Sequence, residues 1–139
     1  MKTVTLALSL FFVSIISMAQ ETKGVNIKVT IDNINSNEGK VVAGLHTQDT
    51  FMAGPGIQNL ESTIENGKVV LTFTNVAPGS YAILTLHDEN SNNRMDYQSN
   101  GMPAESYGMS GNDMSLGPPN FGSAKFEVGN EDIELNIRF

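Results

Sequence analysis

The chain has 139 residues, 40% hydrophobic and 17% charged, with neither Cys nor Trp, and its 8 Lys and Arg against 15 Asp and Glu give a formal charge of −7 at pH 7. That length fits one domain with a modest core. The acidic balance argues against nucleic-acid binding and against a polybasic membrane attachment, both of which need a basic face, and the lack of Cys excludes disulfides, thiolate zinc sites, thiol catalysis and an acyl anchor on Cys.

In chain order, Lys2 precedes an almost unbroken apolar run from Val4 to Met18, and Ser17-Met18-Ala19 has the small-x-small form of a cleavage site. This predicts a secretory signal peptide over residues 1–19 and a mature domain over 20–139, exported to the periplasm, the cell surface or the medium. The run is shorter than the ~20 apolar residues of a membrane span, and no Cys follows the cleavage site to carry a lipid. Cleavage removes one Lys and no acid, so the charge becomes −8. An exported domain without disulfides has to be held by its core, by a metal, or by both.

Val25 to Asp32 alternates apolar and polar, the pattern of a half-buried strand. Asn33 to Gly39 has turn chemistry, Lys40 to Thr47 reads as a second strand, and Asp49 to Gly56 as a loop. Ser62–Glu65 and Lys68–Asn75 flank Asn66-Gly67, the strongest short hairpin signal, because a type I′ turn needs positive φ at both centres. Val76 to Gly79 is a turn. Ser80 to His87 is apolar on both parities, which predicts a central strand covered on both faces. Ala124–Val128 and Ile133–Phe139 alternate again. These seven runs, none with helical periodicity, predict an all-β fold, an antiparallel β-sandwich of about seven strands. An outer-membrane barrel is the rival architecture, but most runs are shorter than the roughly 9–11 residues of a spanning strand.

The 35 residues from Asp88 to Gly122 show no strand or helix period. Loops beyond about 12–15 residues are uncommon in compact domains unless functional or disordered. This one carries Tyr97, Tyr107, Phe121, Met95, Met102, Met109 and Met114, side chains that favour packing, so it is expected to be an ordered excursion over one end of the sandwich. It begins Asp88-Glu89-Asn90-Ser91-Asn92-Asn93-Arg94-Met95-Asp96, with oxygen side chains at alternate positions. Calcium takes 6–8 oxygen ligands, and the proposed set is Asp88, Asn90, Asn92, the backbone carbonyl of Arg94, and Asp96. Asn93 stands where an EF-hand loop has Gly and Ser99 where it has Glu, so a bidentate carboxylate has to come from elsewhere, with Glu105 nearest. The competing reading is an Asn-rich turn capped by its own side chains.

The run from Val76-Ala77-Pro78-Gly79-Ser80-Tyr81 into His87-Asp88-Glu89-Asn90, then Arg94-Met95-Asp96, Gly101-Met102-Pro103-Ala104-Glu105-Ser106-Tyr107-Gly108 and Gly117-Pro118-Pro119-Asn120-Phe121, resembles the domain-of-unknown-function 2141 family of small exported bacterial proteins, common in Bacteroidetes. The likeness covers nearly all of the mature chain. Asn93 and Ser106 depart from it, since the family often has Gly at both. The resemblance implies a secreted β-sandwich akin to transthyretin- or immunoglobulin-like modules, and implies no known activity.

Other constellations are weaker. The Met set with His46 and His87 suits Cu(I) chemically, but Met also fills gaps under irregular loops, and the seven-residue spacing of Met95, Met102 and Met109 gives no compact chelate. His87, Asp88, Glu105 and Ser110 could suggest a hydrolase, yet neighbouring strand residues point to opposite faces and no nucleophile elbow is present. The reading is therefore an exported non-enzymatic module, binding or scaffolding at the cell envelope with a protein or glycan partner, its long loop ordered by calcium or by internal hydrogen bonds. The alternative is an envelope hydrolase or copper-handling protein using His87, Asp88 and the Met-rich loop.

Overall fold

A computed structural model describes residues 23–113, 115 and 117–139; the expected signal peptide and Met114 lie outside the described residues. Among them run β1 (Val25–Ile31), β2 (Lys40–His46), β3 (Gln58–Ser62), β4 (Val69–Val76), β5 (Gly79–Asp88), β6 (Tyr107–Met109), a one-turn helix α1 (Phe121–Ala124), β7 (Phe126–Val128) and β8 (Ile133–Asn136). No helix among them is long and apolar enough to cross a membrane.

The strands form a sandwich. One sheet has the order β4-β1-β8; the other has the order β3-β2-β5-β6, with β7 also paired to β5. The core lies between them, as period-2 alternation dictates. Ile27, Val29 and Ile31 from β1, Leu71 and Phe73 from β4, Val41, Ala43 and Leu45 from β2 and Ile83 from β5 are all buried there. An irregular step in the β1–β4 register lies between Val25 and Ile27, and Asn75 opposite has φ 53°. This bulge restores the inward phase of Val76 after the outward pair Thr74 and Asn75.

The two sheets treat their outer faces differently. The face of β1, β4 and β8 turned from the core is polar apart from the exposed Val70, with an exposed ion pair between Lys28 and Glu134 at 3.1 Å. The outward positions in the middle of the other sheet are Val42, Gly44 and His46 on β2, Ala82, Leu84 and Leu86 on β5, and Tyr107 and Met109 on β6, with Asn59 and Glu61 of β3 beside them, Glu61 paired to Lys40. Apolar on both parities, β5 sits in the middle of its sheet as its sequence predicts.

Several expectations need correction in detail. Eight strands appear among the described residues, against about seven expected. The strand expected at Ser62–Glu65 lies earlier, at β3, where it pairs β2. Asn66 and Gly67 do have positive φ, 53° and 70°. Only a single bridge, Glu65 to Lys68, flanks them, because the chain crosses there from one sheet to the other. The pairing is not antiparallel throughout: β1 and β8 run parallel, since the chain crosses the sandwich before it reaches β8. Finally, the stretch expected as loop alone contains β6 and the first two residues of α1. Tyr107–Met109 has too few residues to show a period, and it forms a strand because the edge of β5 supplies partners.

Candidate ligand-binding groove

The outer face of β2, β5 and β6 is the floor of a groove of about 750 Å³, within the ~300–1,000 Å³ of small-molecule sites. Leu84, Leu86 and Val42 form the floor, and Gly44 leaves it open between them. The loop after β2 supplies Met52 and Pro55 as one wall, and the excursion after β5 supplies Met95, Tyr97, Met102 and Pro103 as another. None of the described side chains lining it is charged, in a protein whose net charge is −7. Met52, Tyr97 and Met102 are each more than half exposed at its rim. At one end the floor is closed by a second apolar cluster of Ala82, Met109 and Ala124, against which Phe51 and Phe121 pack, their rings edge to face at 5.8 Å.

His46 is the one imidazole on this groove. The residue is 5% exposed, and its ring meets Phe51 edge-on at 6.0 Å. Nδ1 stands 3.1 Å from the carbonyl of Thr50. Burial disfavours the imidazolium and holds His46 below the ordinary imidazole range, outweighing the Thr50 carbonyl, which acts the other way.

The wall after β5 is shaped by carboxylates. Asp88, fully buried, accepts the backbone N–H of Asn92 at 3.0 Å and of Asn93 at 2.8 Å. Ser91 and Asn93 take positive φ in that turn, a conformation Asn tolerates better than most residues. Glu105 accepts the N–H of Glu89 at 3.0 Å and of Asp96 at 3.1 Å, clasping the start and the middle of the loop. Asp96 accepts the side-chain amides of Asn90 and Asn92, and Asn92 Oδ1 accepts the N–H of Arg94. Beyond the clasp, Tyr97 bridges Pro103, and the N–H of Gln98 donates to Met102. The resulting small hairpin puts Tyr97 and Met102 on the groove.

The structure thus brings Asp88, Asn90, Asn92, Asp96 and Glu105 into one hydrogen-bond network, with the side chain of Arg94 exposed beside Asp96. Within it the Asn90 and Asn92 amides face Asp96 as donors, and each carboxylate is engaged by N–H groups of the loop itself. No group of three or more His, Asp and Glu side chains converges to hold a metal among the described residues. His87 stands apart from the groove: Nε2 meets the carbonyl of Glu38 at 2.9 Å, Nδ1 lies 3.7 Å from Glu89, and the ring stacks on Phe139. Ser110 is bonded to Ile83 and Ala124 instead, so His87 and Ser110 are not brought together. The Met-rich set also divides. Met95 and Met102 line the groove with His46, while Met109 is buried in the second cluster.

The groove itself escapes a reading of the sequence, although one signal for it exists. Apolar residues on both parities of β5 require a cover, and the segments that cover them are rich in Gly, Pro and Met, which leave space rather than fill it. No curated protein and no solved structure matches this chain. A bacterial family model described as an uncharacterized protein conserved in bacteria, DUF2141, matches residues 29–136, from the middle of β1 to the last residue of β8, and the chain therefore belongs to that family.

Proposed function

We propose that this protein is an exported, non-enzymatic binding module whose ligand is an uncharged apolar molecule held in the groove on the outer face of β2, β5 and β6. The observation that carries this reading is an uncharged groove of about 750 Å³ floored by Leu84 and Leu86. An apolar ligand gains from leaving water, whereas an ion would lose its hydration with no opposite charge to meet it. The Met and Tyr side chains at the rim adapt to varied shapes. Export rests on the signal-peptide pattern of residues 1–19.

Titration with Nile red, an uncharged apolar fluorophore, tests the reading. A saturable fluorescence rise that Leu86→Asp removes is the expected result. No saturable binding, or binding unchanged in a folded Leu86→Asp protein, overturns it.

For the loop from Asp88 to Glu105 we propose a structural role, holding the groove wall that carries Tyr97 and Met102. A calcium ion would share that role only if the Asn90 and Asn92 amides turned to present oxygen. Melting curves with and without millimolar calcium separate the two. A rise that Asp96→Asn removes assigns the role to the ion, and an unchanged midpoint assigns it to the hydrogen bonds alone.

A further inference from the structure

His46 adds a polar requirement to the groove. Nδ1 lies 3.1 Å from the carbonyl oxygen of Thr50 and 3.3 Å from its hydroxyl. A carbonyl can only accept, so Nδ1 carries the proton and the neutral ring leaves Nε2 as a bare acceptor. Nε2 hangs over Gly44, where a Cβ would come within 2.6 Å of it. No protein donor reaches Nε2 among the described residues, and no fully buried side-chain nitrogen or oxygen lacks a partner there. Nε2 therefore opens on the groove. Among the other polar side chains of the lining, Thr85 donates to the carbonyl of Gly108 and Asn59 holds both backbone groups of Gly56, while Tyr97, Tyr107 and Ser115 bring hydroxyls that both donate and accept.

Resting on the groove reading above, we propose that the ligand is a neutral aromatic compound bearing an O–H or N–H group, and that it donates this hydrogen to His46 Nε2. The flat faces of Tyr97, Tyr107 and Pro103 and the sulfurs of Met95 and Met102 suit an aromatic ring. Unlike the Tyr hydroxyls, Nε2 can only accept and sits on a ring held in place, and one such placed acceptor in an apolar site fixes the orientation of a ligand. The ring of His46 is set for this by Phe51 on one side and Thr50 on the other, so little motion is needed on binding.

The test compares 2-naphthol with 2-methoxynaphthalene, which keeps the rings and the oxygen but has no hydrogen to give. At neutral pH the wild-type protein is expected to bind 2-naphthol roughly tenfold more tightly. His46→Phe abolishes that preference while retaining 2-methoxynaphthalene. Gly44→Ala is the second variant: it keeps the histidine, but its methyl group falls 2.6 Å from where Nε2 stands, so the ring has to shift and Nε2 is crowded, and the preference falls there too. Equal affinities in the wild type, or a preference that survives both substitutions, overturn the assignment to His46 and leave the groove standing. If neither naphthalene binds, the groove reading falls and this inference falls with it.

Discussion

Ser110 and Ile83 are joined twice: the N–H of Ser110 donates to the carbonyl of Ile83 at 3.0 Å, and the N–H of Ile83 donates back to the hydroxyl of Ser110 at 2.9 Å. The hydroxyl in turn donates to the carbonyl of Ala124. Along this edge β5 changes partner, from β6 at Leu84–Leu86 to β7 at Gly79–Tyr81. A side chain stands in for backbone at the changeover and joins the two short strands. Ser110→Ala strands a buried N–H and a buried carbonyl, each costing about 1–3 kcal/mol. Urea denaturation is expected to show a loss of about 2–4 kcal/mol.

Asp88 is the corresponding element of the loop. Its buried carboxylate makes two bonds to backbone N–H groups, the class of hydrogen bond that contributes most. Asp88→Ala is expected to cost about 2–4 kcal/mol. Amide exchange of Asn92 and Asn93 should accelerate more than that of β2. Uniform acceleration across the sheet would show that the loop has no local cap.

Gly67 tests the turn between Ile64 and Val69. Its φ is +70°, and a Cβ there would sit 2.7 Å from the carbonyl oxygen of Ile34, the residue whose N–H donates to the Gly67 carbonyl at 3.1 Å. Gly67→Ala combines left-handed strain with that clash. The left-handed part alone costs about 1–2 kcal/mol, so a fall in melting temperature of several degrees is expected from this exposed turn.

Stability should depend on pH through His46. Its pKa in the folded state lies below the unfolded value of ~6.5. Between the two, the unfolded chain binds more protons than the folded one, so stability rises with pH across that window. The contribution is complete above ~6.5 and is lost as pH falls through the folded pKa. Urea midpoints of wild type and His46→Phe, compared from neutral pH to pH ~5, should diverge, with the variant showing the shallower slope. Parallel slopes would show that His46 is readily protonated in the folded protein.

Much of this fold is legible in the sequence because period-2 alternation marks β1, β4 and β8 directly, and the double parity of Ser80–His87 marks β5 as central. The turn at Asn66-Gly67 is legible for a similarly local reason, the need for positive φ. Partner choice is not local. Nothing in Ile133–Asn136 says that it lies parallel to β1, and β6 exists only because the edge of β5 offers it hydrogen bonds. At the site, the spacing of Asp88, Asn90, Asn92 and Asp96 with Glu105 suggests calcium ligands, and the structure brings these side chains into one hydrogen-bond network. His46 stays hidden for another reason: its role depends on a Gly two residues earlier and on a loop that folds back through Thr50.

The parallel pairing of β8 with β1 also sets an order of events. Asn33 exchanges two hydrogen bonds with Phe139 across a separation of 106 residues, at 2.8 and 3.2 Å, and Ile137 donates to Thr30. Until the last segment arrives, one edge of β1 has no neighbour, and the inner face of that sheet lacks Ile137. Contacts of such long sequence separation form late and slowly. A growing chain thus reaches its cooperative fold only once β8 and the residues up to Phe139 have been made, and its earlier lengths present an open strand edge to whatever they meet.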